Sequence, residues 1–166
     1  MKNNKVKYLE IIEKQDKPGL PVKKRVVAVV VFYDGKGNVL CQERRSISKA
    51  GEEWGLFGGG IEKGENPEQG LKRELDEEIT GLPTNLQFEK IAKMRVFYYN
   101  PKENFYRDLD KHVFACKLPL NLKIKVLEGN SARWFTFAEA KKLKMIPGNI
   151  EAIEILGKKW IQNEKF

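Results

Sequence analysis

Residues 58–82 read GGGIEKGENPEQGLKRELDEEITGL. Three glycines lead, through a loop, to a proline and a dense run of acids. Asn66 is placed to cap a helix, Pro67 suits its first position, and Gln69 stands where a capping-box partner belongs. Leu71, Leu75 and Ile79 recur every four residues and predict the buried stripe. Gly81 predicts the helix end. Positions i, i+3 and i+4 share a helix face, so Glu74, Glu77 and Glu78 point the same way. Each like-charge pair costs about 0.2–0.5 kcal/mol on an isolated helix. Lys72 and Arg73 offset part of that cost.

Two readings of the acids stand. One is an acidic, solvent-facing helix surface. The other is a cation site, and the flanking residues favour it. A glycine-rich turn ahead of the helix lets backbone approach a ligand without an intervening side chain. Glu65 adds a carboxylate in the loop. Clustered carboxylates suit hard divalent cations, which magnesium sites complete with phosphate oxygens and water. A cation would relieve the repulsion and hold a polyphosphate.

The segment resembles the Nudix signature. Gly59 is followed by Glu65 at the required spacing, then by Arg73-Glu74-Leu75, then by Glu77-Glu78. One residue is inserted after the acids: Ile79 and Thr80 stand where the pattern has a single residue before Gly81-Leu82. The insertion leaves the register of the acids intact. It bears on the helix exit. The resemblance covers residues 25–160 and includes a strand hairpin before the motif and a Trp-Phe segment after it.

The resemblance implies an α/β (α+β) sandwich, a mixed β-sheet between helices. It implies hydrolysis of a diphosphate linkage in a nucleotide or nucleoside-diphosphate-linked small molecule, with Mg2+ or Mn2+. Glu74, Glu77 and Glu78 correspond to metal ligands, with Glu74 also a candidate for the base that activates water. Arg73 and Glu65 correspond to the pair that orients the helix acids. Gly59 or Gly60 would offer a backbone carbonyl to the metal. Glu128, in EGNSARW, reads either as a further acid at the site or as an exposed loop glutamate. Asn149 reads either as an amide that contacts a purine edge or, more simply, as a helix N-cap.

Substrate contacts outside the signature are less constrained. Arg44 and Arg45 follow the second strand and are candidates for binding phosphates. The aromatic stretch around Tyr98 is a candidate for stacking a base. His112 has alternating neighbours in a strand and reads as structural. The expected reaction is conversion of a nucleoside triphosphate, plain or oxidised, to the monophosphate and pyrophosphate. ADP-ribose-like dinucleotides and RNA 5′ ends are the alternative substrates. A nucleotide-sensing module without turnover is the alternative class, and the complete acid set argues against it.

Outside the motif, strands are expected over 25–33, 39–44, 86–99 and 109–118, a polar loop over 100–108, a short helix over 137–144 capped by Thr136, and a final amphipathic helix over 149–163. The rest of the chain sets outer bounds. Its 166 residues suit one core, and 41% hydrophobic with 33% charged residues is an ordinary globular balance. Residues 1–24 are expected to form a polar arm carrying one edge strand, and 25–166 a single domain. The net charge of +8 suits anionic partners, but the lysines are spread along the chain. With no base-stacking motif in view, an RNA end is not favoured. The longest apolar run, Val26 to Tyr33, is too short to span a membrane. The N-terminus lacks a signal-peptide pattern. Cys41 and Cys116 read as reduced, buried thiols, so the expected setting is cytoplasmic. Many members of the family form dimers, so a homodimer is an open expectation.

Overall fold

The apolar run from Val26 to Tyr33 lies at the centre of the sheet, where alternate residues serve two different cores. The computed structural model describes residues 6–119 and 121–162. Its elements, in chain order, begin with β1 (Lys7–Ile12), β2 (Val22–Tyr33), β3 (Asn38–Glu43), β4 (Trp54–Gly55) and β5 (Phe57–Gly60). Then come α1 (Pro67–Glu78), β6 (Ile79–Thr80), β7 (Glu89–Asn100) and β8 (Phe105–Lys117). The chain ends with β9 (Lys125–Val126), β10 (Ser131–Thr136), α2 (Phe137–Ala140) and α3 (Asn149–Gln162).

Among the described residues, eight strands form one mixed sheet in the order β1-β7-β8-β2-β3-β10, with β4 on β3 and β5 on β2. β2 runs parallel to β8, and β1 parallel to β7. Val27, Val29 and Val31 face the core that holds Ala152, Ile153 and Leu156 of α3. Ala28, Val30 and Phe32 face the core that holds Leu71 and Leu75 of α1. Burial on both faces is why this strand is continuously apolar. The architecture is the expected mixed sheet between helices. No helix among the described residues is long and apolar enough to cross a membrane.

The start of α1 follows its sequence signals. The Asn66 side chain accepts from the Gln69 N–H at 2.8 Å, and the Gln69 side chain accepts from the Asn66 N–H at 2.9 Å. Leu71, Leu75 and Ile79 are all buried. Leu75→Ala is expected to cost about 2–5 kcal/mol, read as a lower denaturant midpoint. An unchanged midpoint would mean the buried face of α1 is wrongly assigned.

Other expectations are corrected. Gly58–Gly60 are not a turn: they belong to β5 and pair antiparallel with β2. Gly81 does not end α1. The helix stops at Glu78, and Ile79 is already extended, with φ −150° and ψ 138°. Ile79 and Thr80 then pair with Val126 and Lys125. Two β-branched residues after the last acid favour this ladder over another helical turn. Gly81 serves a close approach instead: an added Cβ would lie 2.3 Å from the Lys123 carbonyl oxygen.

Several boundaries also move. β2 begins at Val22 and β3 at Asn38, while β7 starts later than expected, at Glu89. The loop expected over 100–108 shrinks, because β8 begins at Phe105 and pairs with β7 down to Asn100. The short helix capped by Thr136 stops at Ala140 rather than at 144. Residue 163, the expected end of the last helix, lies outside the described residues.

Candidate active site

Helix α1 packs beside β5, and the missing side chain of Gly59 lets Glu74 come against the strand. A Cβ at Gly59 would sit 2.5 Å from the Glu74 carboxyl carbon. One turn further on, Glu78 is only 2% exposed. Its Oε1 accepts the Gly58 N–H at 3.1 Å. Its Oε2 has no hydrogen-bond partner among the described residues. Burial pushes the Glu78 carboxyl up to about 8; the Gly58 N–H opposes the shift, and the nearby Glu74 and Glu128 carboxylates add to it.

Arg73 ties the loop to the helix. Its Nε and Nη2 donate to Glu65 at 2.9 and 3.0 Å, and Nη2 also donates to the Gly60 carbonyl at 2.8 Å. Nη1 donates to Glu74 at 3.1 Å. The guanidinium holds the Glu65 carboxyl below its usual range, helped by the Glu62 N–H. Glu77 is on the solvent side, its side chain 55% exposed and 3.5 Å from Arg73.

Glu74, Glu78 and Glu128 line one cleft of about 180 Å³. Glu128 is held there through its backbone: its N–H donates to the Glu78 carbonyl at 3.4 Å, and its carbonyl accepts from Gln42 at 2.6 Å. Glu65, Arg73 and Glu77 are not in the lining. Arg44 is, donating to Gln42 at 2.8 Å and to the buried Glu52 at 3.3 Å. Arg45 is not in the lining, and pairs with Glu43 and Glu53, each at 2.9 Å. Tyr98 lines the cleft and is buried.

Asn149 also lines the cleft, and the simpler reading of it as an N-cap is corrected. It is the first residue of α3, and its Oδ1 accepts from Lys111 Nζ at 2.6 Å. That side chain points across to β8 and does not serve the helix's own N–H groups. Glu151 does reach back, accepting the Gly148 N–H at 3.0 Å.

Sequence reasoning missed Arg25, Arg107, Lys111 and Glu52, all of which line the cleft. Period-two alternation would have placed Arg107, Leu109 and Lys111 on one face of β8. The expected loop over 100–108 hid that pattern. His112 points the other way on β8 and is not in the lining.

The carboxylates suit a divalent cation. Among the described residues, no three metal-binding side chains form a ready-made cluster. The fit rests on the orphaned, buried Glu78 oxygen, with the Glu74 and Glu128 carboxylates lining the same cleft. A hard cation is the partner such all-oxygen donors favour.

Comparison with known proteins bears on the family and the fold. A family model of the NUDIX domain matches residues 23–155. An RNA pyrophosphohydrolase of Bartonella quintana (strain Toulouse) is 30% identical over 130 residues, covering 76% of this chain and 66% of that protein. An 8-oxo-dGTP diphosphatase of Proteus vulgaris is 44% identical over 57 residues, 34% of this chain and 51% of that protein. The chain thus spans 66% and 51% of these curated relatives' lengths. The solved structure of the E. coli dihydroneopterin triphosphate pyrophosphohydrolase matches with TM-score 0.64 at 25% identity, covering 84% of this chain and 99% of that one. With a family match across most of its length and the signature acids gathered around β5 and α1, this chain belongs to the NUDIX domain family.

Proposed function

We propose that the protein is a divalent-cation-dependent pyrophosphohydrolase that converts a nucleoside triphosphate to the monophosphate and pyrophosphate. The observation that carries this reading is the buried Glu78 carboxylate, with one oxygen orphaned and with Glu74 and Glu128 lining the same cleft. Arginines line that cleft too, and carboxylates beside arginines suit a cation–polyphosphate complex.

Glu74, Glu78 and Glu128 would hold Mg2+ or Mn2+, with the Gly59 carbonyl and Glu77 as further proposed ligands. When bound, the cation supplies charge neutralisation for the diphosphate and the departing oxygen. Arg25 and Arg44 pair with phosphate oxygens. Arg73 and Glu65 lock the helix acids relative to β5. Glu74 accepts a proton from the attacking water. The water oxygen bonds to phosphorus as the bridging P–O bond breaks, and pyrophosphate leaves with that bond's electron pair. Tyr98 and Asn149 contact the nucleoside. The buried thiols of Cys41 and Cys116 fit a cytoplasmic setting.

A second reading is hydrolysis of a triphosphorylated RNA 5′ end. The cleft of about 180 Å³ is below the roughly 300 Å³ at which small-molecule sites usually begin. A longer chain would therefore extend into solvent. The net charge of +8 is compatible with that.

The test is hydrolysis with Mg2+ and with a chelator, read as pyrophosphate release from nucleoside triphosphates and a 5′-triphosphorylated RNA and as nucleoside monophosphate release from ADP-ribose and nucleotide sugars. Turnover concentrated on free triphosphates and abolished by the chelator is expected. Turnover concentrated on the RNA favours the second reading. Turnover of ADP-ribose alone, or of nothing, overturns both.

A further inference from the structure

Lys111 is a buried ammonium in the wall of the cleft. It is 2% exposed. Its hydrogen-bond partner among the described residues is Asn149 Oδ1, at 2.6 Å. An ammonium has three donors and no acceptor, so two of its N–H groups are uncommitted to protein. The same contact fixes the Asn149 amide. Because lysine only donates, the atom it touches must be the oxygen, which leaves the NH2 group as the end of the amide open to a ligand. Burial lowers the Lys111 ammonium to about 8, with Glu151 opposing, so the cation persists at neutral pH.

The pair is positioned for a base rather than for phosphates. Lys111 is in register with Val27, and Val27 with Gly60 of the glycine strand. Two strand spacings, roughly 10 Å, therefore separate it from the strand against which Glu74 and Glu78 lie. Between them the lining carries Val27, Val29 and Leu109, and the Arg25 guanidinium lies at the Gly60 side.

We infer that Lys111 and Asn149 form a donor–donor subsite that selects a 6-oxopurine whose ring N7 is unprotonated, that is guanine rather than adenine or 8-oxoguanine. This rests on the reading of the cleft as a nucleotide site. Guanine presents two adjacent acceptors, O6 and N7, on one edge. Adenine presents N7 beside a donor, the N6 amino group, and that donor would meet a donor here. Oxidation at C8 places a hydrogen on N7, so 8-oxoguanine also turns a donor towards a donor. A site with two fixed donors rejects both by leaving buried N–H groups unpaired.

The experiment is calorimetric titration of the whole protein with GMP, AMP, 7-deaza-GMP and 8-oxo-GMP, which needs no hydrolysis. GMP is expected to bind at least about tenfold more tightly than the other three. Lys111→Met removes one donor while keeping an apolar stem, and should bring the GMP-to-AMP ratio close to one. Asn149→Asp keeps the Lys111 contact but replaces the donor with an acceptor, and should invert the ratio. A purely structural role for the pair would shift stability without inverting base preference. Equal or tighter binding of AMP or 8-oxo-GMP, or no binding of any of the four, overturns the subsite. GMP preference without turnover of any triphosphate would leave the subsite standing and remove the hydrolase reading.

Discussion

Glu78→Gln is expected to lower turnover by about 10²–10³-fold and, at pH 8, to raise the melting temperature of the metal-free protein. Most active-site substitutions are not expected to stabilise, so the combination is diagnostic. The activity loss follows because glutamine cannot supply an anionic oxygen to a cation or to the reacting phosphates. The stability gain follows from burial. Glu78 is 2% exposed, and its second oxygen lacks a partner among the described residues. Ionising it there, beside Glu74 and Glu128, costs free energy that a neutral amide does not. The glutamine oxygen can still accept the Gly58 N–H. Steady-state kinetics with Mg2+ and thermal melts in chelator give the two readouts. Retained turnover would remove Glu78 from the site. A lower melting temperature would mean that the carboxylate has stabilising partners in solution.

The second large effect is the pH dependence of stability without metal. The folded-state value of Glu78 is about 8, against 4.5 for an ordinary glutamate carboxyl. Its raised value means that the folded state binds a proton the unfolded state has released. The stabilisation is fully present below pH 4.5 and is lost as pH rises through about 8. The gap is worth on the order of 5 kcal/mol. Lys111 acts in the opposite sense, since its value falls from 10.5 to about 8. Its contribution rises above pH 8. Burial also holds the His112 imidazole below its ordinary 6.5, so its contribution rises with pH up to 6.5, and the window that isolates Glu78 is about pH 6.5 to 8. Glu52 and Glu65, both held below their usual range, destabilise only on the acid side of that window. Metal-free protein should therefore melt progressively lower from about pH 6.5 to 8, and saturating Mg2+ should restore most of the loss. In Glu78→Gln the slope should flatten. A wild-type profile that is level across this window, with no response to Mg2+, would contradict the assignment of Glu78 as the orphaned, cation-seeking carboxylate.

The accuracy of the sequence reading follows the range of the interactions involved. The start of α1 was legible because its determinants are local. Asn66, Pro67 and Gln69 act within four residues, and the burial of Leu71 and Leu75 follows from helical period alone. The mutual spacing of Glu65, Arg73, Glu74 and Glu78 was legible for the same reason. The helix exit was misread because Gly81 is an ordinary stop signal. The partner that outcompetes it, Lys125–Val126, lies more than forty residues away. The glycines were misread as a turn because their pairing with β2 is likewise non-local.

The sequence by itself determined the acidic helix, its N-terminal cap, its buried face and the family it belongs to. Tertiary structure alone decided what stands opposite the acids. Arg25, Arg107 and Lys111 come from β2 and β8, and only the parallel register of those strands brings them to one wall. Asn149 became a cleft residue because Lys111, a buried cation in need of an acceptor, holds its side chain across the gap. Such a contact, 38 residues apart in the chain, depends on burial and strand order, and neither is encoded in any short stretch.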